Sequence, residues 1–118
     1  MIRAAVGISD NANAARAAIE AAEQALDGLE GARPAWGVAF VSPRHRAHLD
    51  ALLGALAGKL ETPYVAGCSA SGVLAAGREV EDGPVIGLLA VASDQLRGTP
   101  FLFHDEGDQG MTAGLRLA

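Results

Sequence analysis

The sequence predicts an α/β fold in which three parallel strands carry two packed helices and are followed by an antiparallel β extension. Three observations carry this reading. Apolar runs at 2–9, 36–41 and 64–67 alternate with two segments whose apolar residues recur at helical spacing. The connections are short, and alternating strands and helices joined in this way form parallel sheets through right-handed crossovers. After Gly72 the apolar runs follow one another with no room for a helix of ordinary length, which points to antiparallel pairing.

Taken in order, Ile2 to Ser9 is apolar nearly throughout, as a strand covered on both faces would be. Asp10, Asn11 and Asn13 offer N-caps for a first helix whose stripe is Ala15, Ala18, Ile19, Ala22, Leu26 and Leu29. Glu20, Glu23 and Asp27 take its wet face, Gly28 or Gly31 ends it, and Pro34 prevents its continuation. Trp36 to Val41 is a second buried strand. Ser42-Pro43 then reads as a helix start, the serine hydroxyl capping and the proline taking the first helical position. Helix two carries Leu49, Leu52, Leu53, Leu56 and Leu60, the strongest periodic signal in the chain. Arg44, His45, Arg46 and His48 fall in its first turns, where positive charge opposes the helix dipole. Strand three follows Thr62-Pro63 at Tyr64 to Gly67. Val73 to Ala76 and Pro84 to Ser93 then form an antiparallel pair through a turn at Glu81-Asp82-Gly83, and Thr99 to His104 is a last strand candidate. From Asp105 onward the composition predicts little order, although Met111 to Ala118 could extend as strand or helix.

At 118 residues the chain fits one domain, with no internal repeat and no linker long enough to divide it. Half its residues are hydrophobic but few are aromatic, so burial must come from many small side chains and a modest set of Leu, Ile and Val. A net charge of −5, with Lys and Arg scattered singly, argues against nucleic acid and acidic membrane surfaces as partners. The first residues are too short an apolar run for a signal peptide or a membrane span. Cys68 is the only cysteine, which excludes an intramolecular disulfide and suits a reducing compartment, so a cytoplasmic location is expected.

The chain is organised around 63–84. Gly67, Ser69, Ala70, Ser71 and Gly72 make a turn almost without bulk at the end of strand three, with Cys68 at its mouth. Ser42 occupies the same end of strand two, and ligand crevices in open sheets lie beyond the carboxyl ends of strands. Three readings of Cys68 stay open: a nucleophile served by His45 or His48, a pocket-lining residue, and a buried small hydrophobe. Against the first, the residue two past Cys68 is alanine, where a nucleophile elbow has glycine, and no third, orienting group is evident. His45 and His48 form an i, i+3 pair without a third ligand, so no metal site is expected, and the absence of Gly-Lys-Ser/Thr argues against a nucleotide-phosphate loop. No cofactor is implied. The block Arg78 to Asp82 reads either as a surface turn with local charge pairs or as part of a binding site.

The segment Gly67-Cys68-Ser69-Ala70-Ser71-Gly72-Val73, followed by Gly77-Arg78-Glu79-Val80-Glu81-Asp82-Gly83-Pro84, resembles the N-terminal part of the FIST domain. The resemblance extends back through Ala39-Phe40-Val41-Ser42-Pro43 to Val6-Gly7-Ile8-Ser9 and covers roughly residues 1 to 104. It implies a sensory, ligand-binding domain of intracellular signalling proteins, with small molecules such as amino acids as ligands and no catalytic residues to carry over. Family members usually continue further, so the chain looks like a truncated relative.

The expected function is therefore non-enzymatic binding of a small ligand, with a cysteine-dependent enzyme and an inert assembly domain as alternatives. The expected site is Ser42, Gly67, Cys68, Ser69, Ala70, Ser71, Gly72, Arg78, Glu79 and Glu81. In it, Arg78 would be the fork for a ligand carboxylate, and Glu79 or Glu81 the partner of its ammonium. A homodimer is also expected, through an edge strand or the sheet face carrying Ile86, Leu88 and Ala90, because 84–93 is too apolar to meet water on both faces.

Overall fold

The structure, a computed structural model, describes residues 1–102 and 115. Its elements in chain order are β1 (Ile2–Ser9), α1 (Ala14–Gly28), β2 (Trp36–Val41), a 3-10 segment (Pro43–His48) running directly into α2 (Leu49–Leu60), β3 (Val65–Ser69), β4 (Gly72–Ala75), β5 (Arg78–Glu81) and β6 (Ile86–Ser93). The expected strand at 99–104 has no counterpart over 99–102, and its last two residues, like the expectations for 105–118 apart from 115, lie outside the described residues. Among the described residues no helix is long and apolar enough to cross a membrane.

The fold is mixed α/β, but the expectation of three parallel strands is corrected. The main sheet has the order β1-β6-β2-β3, and only β2 and β3 pair in parallel. β6 lies between β1 and β2 and is antiparallel to both. β1 thus runs in the same sense as β2 and β3 without being hydrogen-bonded to either. The physical reason lies in β6: a strand with no polar side chain from Ile86 to Ala92 is suited to the middle of a sheet, where both faces are covered. Ile86, Leu88, Ala90 and Ala92 are buried beneath the helices in one cluster with Ala39 and Val41.

The antiparallel extension is also built differently. β4 pairs with β5 as a separate two-stranded sheet, with Ala76 (φ 52°) and Gly77 (φ 75°) at its turn. Two consecutive positive φ values match the right-handed twist of a tight hairpin, and Gly77 adopts one of them without strain. Glu81-Asp82-Gly83 instead connects the hairpin to β6. The hairpin lies over one end of the sheet face opposite the helices, where Val73 packs with Ile8 and Val85. A Cβ on Gly87 would come 2.6 Å from a Val73 methyl, so glycine there admits the hairpin.

Asn13 caps α1, its side-chain oxygen accepting the Arg16 N–H at 3.0 Å. The buried stripe of α1 differs from the expected one: Ala14, Ala17, Ala18, Ala21, Ala22 and Ala25 are buried, whereas Ile19 is 37% exposed. Small residues win this face because the helix sits very close. A Cβ on Gly7 would lie 1.9 Å from the Ala21 carbonyl oxygen. Gln24 fastens the same helix to the outer side of β1, its amide donating to the Ile8 carbonyl at 2.9 Å and accepting the Ile8 N–H at 3.0 Å. That pair satisfies backbone groups an edge strand would otherwise leave open. In α2, Leu52, Leu56 and Leu60 are buried at i, i+4 spacing, each contributing about 1.5–3 kcal/mol of burial.

The sheet face expected to bind a second copy is therefore already covered, since Ile86, Leu88 and Ala90 lie under the helices. The exposed large apolar side chains of the main sheet are instead Ile2, Val6 and Phe40.

Candidate functional site

The carboxyl ends of β2 and β3 lie side by side, Phe40 opposite Cys68 and Val41 opposite Ser69. From there the chain turns at Ser42-Pro43 into the 3-10 segment and at Ala70-Ser71 into the hairpin. Beside these two ends opens a cleft of about 820 Å³, walled by Ala39, Val41, Ser42, Pro43, Val65 to Ser69, Arg46, Leu49, Leu53 and Pro100 to Leu102. Its volume is in the range of small-molecule sites, and its walls are mainly apolar with a few polar groups.

Of the expected site residues, Ser42, Gly67, Cys68 and Ser69 line this cleft. Gly67 is glycine because a Cβ there would fall 1.8 Å from the Ala39 carbonyl oxygen. Ser42 does not make the expected helix cap. Its hydroxyl oxygen accepts the Val85 N–H at 3.0 Å, joining the end of β2 to the residue before β6, and the side chain is buried. Cys68 is an exposed thiol, which removes the reading of it as a buried small hydrophobe.

The rest of the expected site lies elsewhere. Ala70, Ser71 and Gly72 lead into the hairpin and are not among the cleft's lining residues. Arg78, Glu79 and Glu81 stand on β5, also outside that lining, and Arg78 is paired with Asp10 at 3.1 Å. A side-chain hydrogen bond with Glu79, together with that residue's charge, raises the Glu81 carboxyl above the ordinary carboxylate range. Two neighbouring acids already share this strand, and the only guanidinium on it is taken up by Asp10.

Sequence reasoning missed Arg46, Leu49, Leu53 and the segment Pro100 to Leu102. The signal for the leucines was present: Leu49 and Leu53 form a second i, i+4 row beside Leu52, Leu56 and Leu60, more apolar width than one buried face requires. They are 39% and 43% exposed and face the cleft. Nothing in the sequence distinguishes Arg46 from its neighbours, but the structure does. The Arg44 guanidinium donates to the Asp82 carbonyl at 3.1 Å, whereas Arg46 has no hydrogen bond or ion pair among the described residues.

His45 points the other way. It is 1% exposed, its Nε2 has no hydrogen-bond partner among the described residues, and burial pushes its imidazole below the usual pKa range, the nearby His48 charge adding to the effect. Neither His45 nor His48 lines the cleft beside Cys68. Near the end of β1, the Ser9 hydroxyl donates to Glu20 at 2.6 Å and the Asn11 amide at 3.1 Å, which holds the Glu20 carboxyl below its usual range. Among the described residues no three His, Cys, Asp or Glu side chains gather as a ligand set for a metal.

A second cavity, about 1070 Å³, lies at the opposite ends of β2 and β3 and includes Arg33, Lys59, Glu61, Asp94 and Arg97. Its charges are largely used: Arg33 pairs with Glu61 at 3.5 Å, Lys59 with Glu23 at 3.2 Å and Asp94 with the chain's amino terminus at 2.9 Å. It also lies at the amino ends of the parallel strands, away from the crevice where open sheets bind ligands.

Comparison with known proteins adds a family to this geometry. The FIST N domain model matches residues 35–118. The uncharacterized protein Mb0898c of Mycobacterium bovis is 34% identical over 85 residues, covering 72% of this chain and 22% of the relative. The uncharacterized protein MT0656 of Mycobacterium tuberculosis is 34% identical over 116 residues, covering 98% of this chain and 30% of the relative. The chain thus spans less than a third of the length of these relatives. With the family model matching most of its length, the chain belongs to the FIST N domain family, a family of sensory signal-transduction domains.

Proposed function

We propose that the chain is the ligand-receiving part of an intracellular sensory protein, holding a small molecule in the cleft beside the carboxyl ends of β2 and β3. The observation that carries this reading is the cleft itself: apolar walls, an exposed thiol and hydroxyl from Cys68 and Ser69, and one arginine with no partner among the described residues. An amino acid, the ligand class implied by the resemblance, would meet Arg46 with its carboxylate. Its ammonium would find no acid among the described lining residues. The role is non-catalytic, a reading supported by the separation of Cys68 from both nearby histidines among the lining residues. Neither nucleic acid nor a membrane surface is a partner in this proposal, in keeping with the net charge of −5. Self-association remains part of it and is read by light scattering: a concentration-dependent rise to twice the chain mass supports it, and a constant monomer mass removes it.

The experiment uses Cys68 as a reporter. The thiol is modified by iodoacetamide in the native chain without denaturant, and small molecules that occupy the cleft slow that reaction at saturation. A metabolite panel in which binders detected by calorimetry leave the alkylation rate unchanged would place the ligand away from the cleft. Loss of a steady-state chemical activity on alkylation would favour a cysteine-dependent enzyme instead.

A further inference from the structure

We propose that the cleft selects an amphipathic monocarboxylate, with the carboxylate on Arg46 and the hydrocarbon body against Leu49, Leu53 and Phe101. The inference rests on the cleft being the ligand site and names the class of molecule it takes. Arg46 is the only charged side chain among the described lining residues. The Arg44 guanidinium donates to the Asp82 carbonyl and Arg78 is paired with Asp10, whereas Arg46 has no hydrogen bond or ion pair among the described residues. An anion placed there supplies the partner that Arg46 lacks. The planar guanidinium fork fits a carboxylate through two parallel hydrogen bonds.

The remainder of the wall sets the body of the ligand. Leu49 and Leu53 are large apolar side chains left substantially open to solvent on a helix whose other leucines are fully buried. Covering them with hydrocarbon recovers hydrophobic free energy that the free chain lacks. An α-ammonium group counts against a ligand here, because it would be drawn out of water beside a guanidinium of like charge with no acid among the described lining residues. The favoured class is therefore a branched or aromatic carboxylic acid, the 2-oxo acids included, over the corresponding free amino acid.

The test is calorimetric titration of the full chain with 4-methylpentanoate, 4-methylpentan-1-ol and leucine, three probes sharing one hydrocarbon body. The acid is expected to bind at least about tenfold more tightly than either of the others, corresponding to about 1.4 kcal/mol. Arg46→Gln is expected to remove that preference and leave the alcohol's affinity unchanged, while Leu53→Ser weakens the acid and the alcohol together. Both positions are exposed, and circular dichroism checks that the variants fold. Equal binding of acid and alcohol, or an acid affinity untouched by Arg46→Gln, overturns the monocarboxylate class. If Leu53→Ser still weakens binding in that case, the cleft stands as a ligand site of other chemistry. Leucine binding more tightly than the acid overturns the class in favour of a zwitterion. Binding insensitive to both substitutions, or no binding of any probe, overturns the class and leaves no support here for the cleft.

Discussion

The Ser42 hydroxyl oxygen accepts the Val85 backbone N–H at 3.0 Å, and the Ser42 N–H donates to the Val85 carbonyl at 2.9 Å. One residue thus uses both its side chain and its backbone to fix where β6 enters the sheet beside β2. Ser42 is 3% exposed, so Ser42→Ala leaves a buried N–H without its acceptor, at a cost of about 1–3 kcal/mol. Urea denaturation checks this as a lower midpoint at unchanged slope. An unchanged midpoint would mean the hydroxyl contributes nothing to the clamp.

Two glycines are expected to respond in opposite directions. Gly7→Ala puts a methyl 1.9 Å from the Ala21 carbonyl oxygen, forcing α1 off the sheet at a cost of about 1–3 kcal/mol or more. Gly54→Ala, exposed in α2 with nothing within 4 Å of the new Cβ, stabilises by about 0.5–1 kcal/mol through helix propensity. Thermal melts of the two variants against the parent chain give the signs, and an unaffected Gly7→Ala would contradict the close seating of α1.

Stability is expected to depend on pH in two separate windows. His45 titrates near 6.5 when unfolded and lower when folded, so just below 6.5 the unfolded chain binds more protons. The full contribution is present above that pH, falls as pH drops toward the folded value and levels off below it. Glu20 acts further into acid. Its folded value is depressed below the ordinary 4.5, so its contribution is complete above 4.5 and is lost as pH falls through the folded value. Denaturation midpoints measured against pH should show both limbs, His45→Leu removing the upper and Glu20→Gln the lower. A single limb surviving both substitutions would assign the pH dependence to other groups.

Arg78→Ala is expected to leave ligand affinity unchanged, the reverse of what the sequence suggests. Arg78 is half exposed and paired with Asp10 rather than aimed at the cleft, so its removal also costs only about 0–1 kcal/mol of stability. Titration of the variant with 4-methylpentanoate checks this. A clear loss of affinity would return the Arg78 block to the site.

Local structure was legible where one residue's chemistry decides it. The Asn13 cap, Pro43 at the start of the second helical segment and the leucines of α2 follow from neighbours in sequence. The position of β6 was not, because strand pairing is chosen by contacts remote in sequence. Its unbroken apolar run was nevertheless a sign of a central strand. The buried face of α1 was misread because large side chains were expected to mark the core, whereas the approach over Gly7 leaves room only for alanine. The site divided in the same way. Gly67, Cys68 and Ser69 announce a close-approach turn at a strand end, but Arg46 stands out only once its neighbours' partners are known.

The most direct test of the whole account is a heteronuclear NMR titration of the chain with 4-methylpentanoate. Saturable shifts are expected at the backbone amides of Arg46, Leu49, Leu53, Gly67, Cys68 and Ser69, with Arg78 to Glu81 and the far cavity around Arg33, Lys59 and Tyr64 unchanged. Shifts centred on β5 or on the far cavity, or none at all at millimolar ligand, would contradict it.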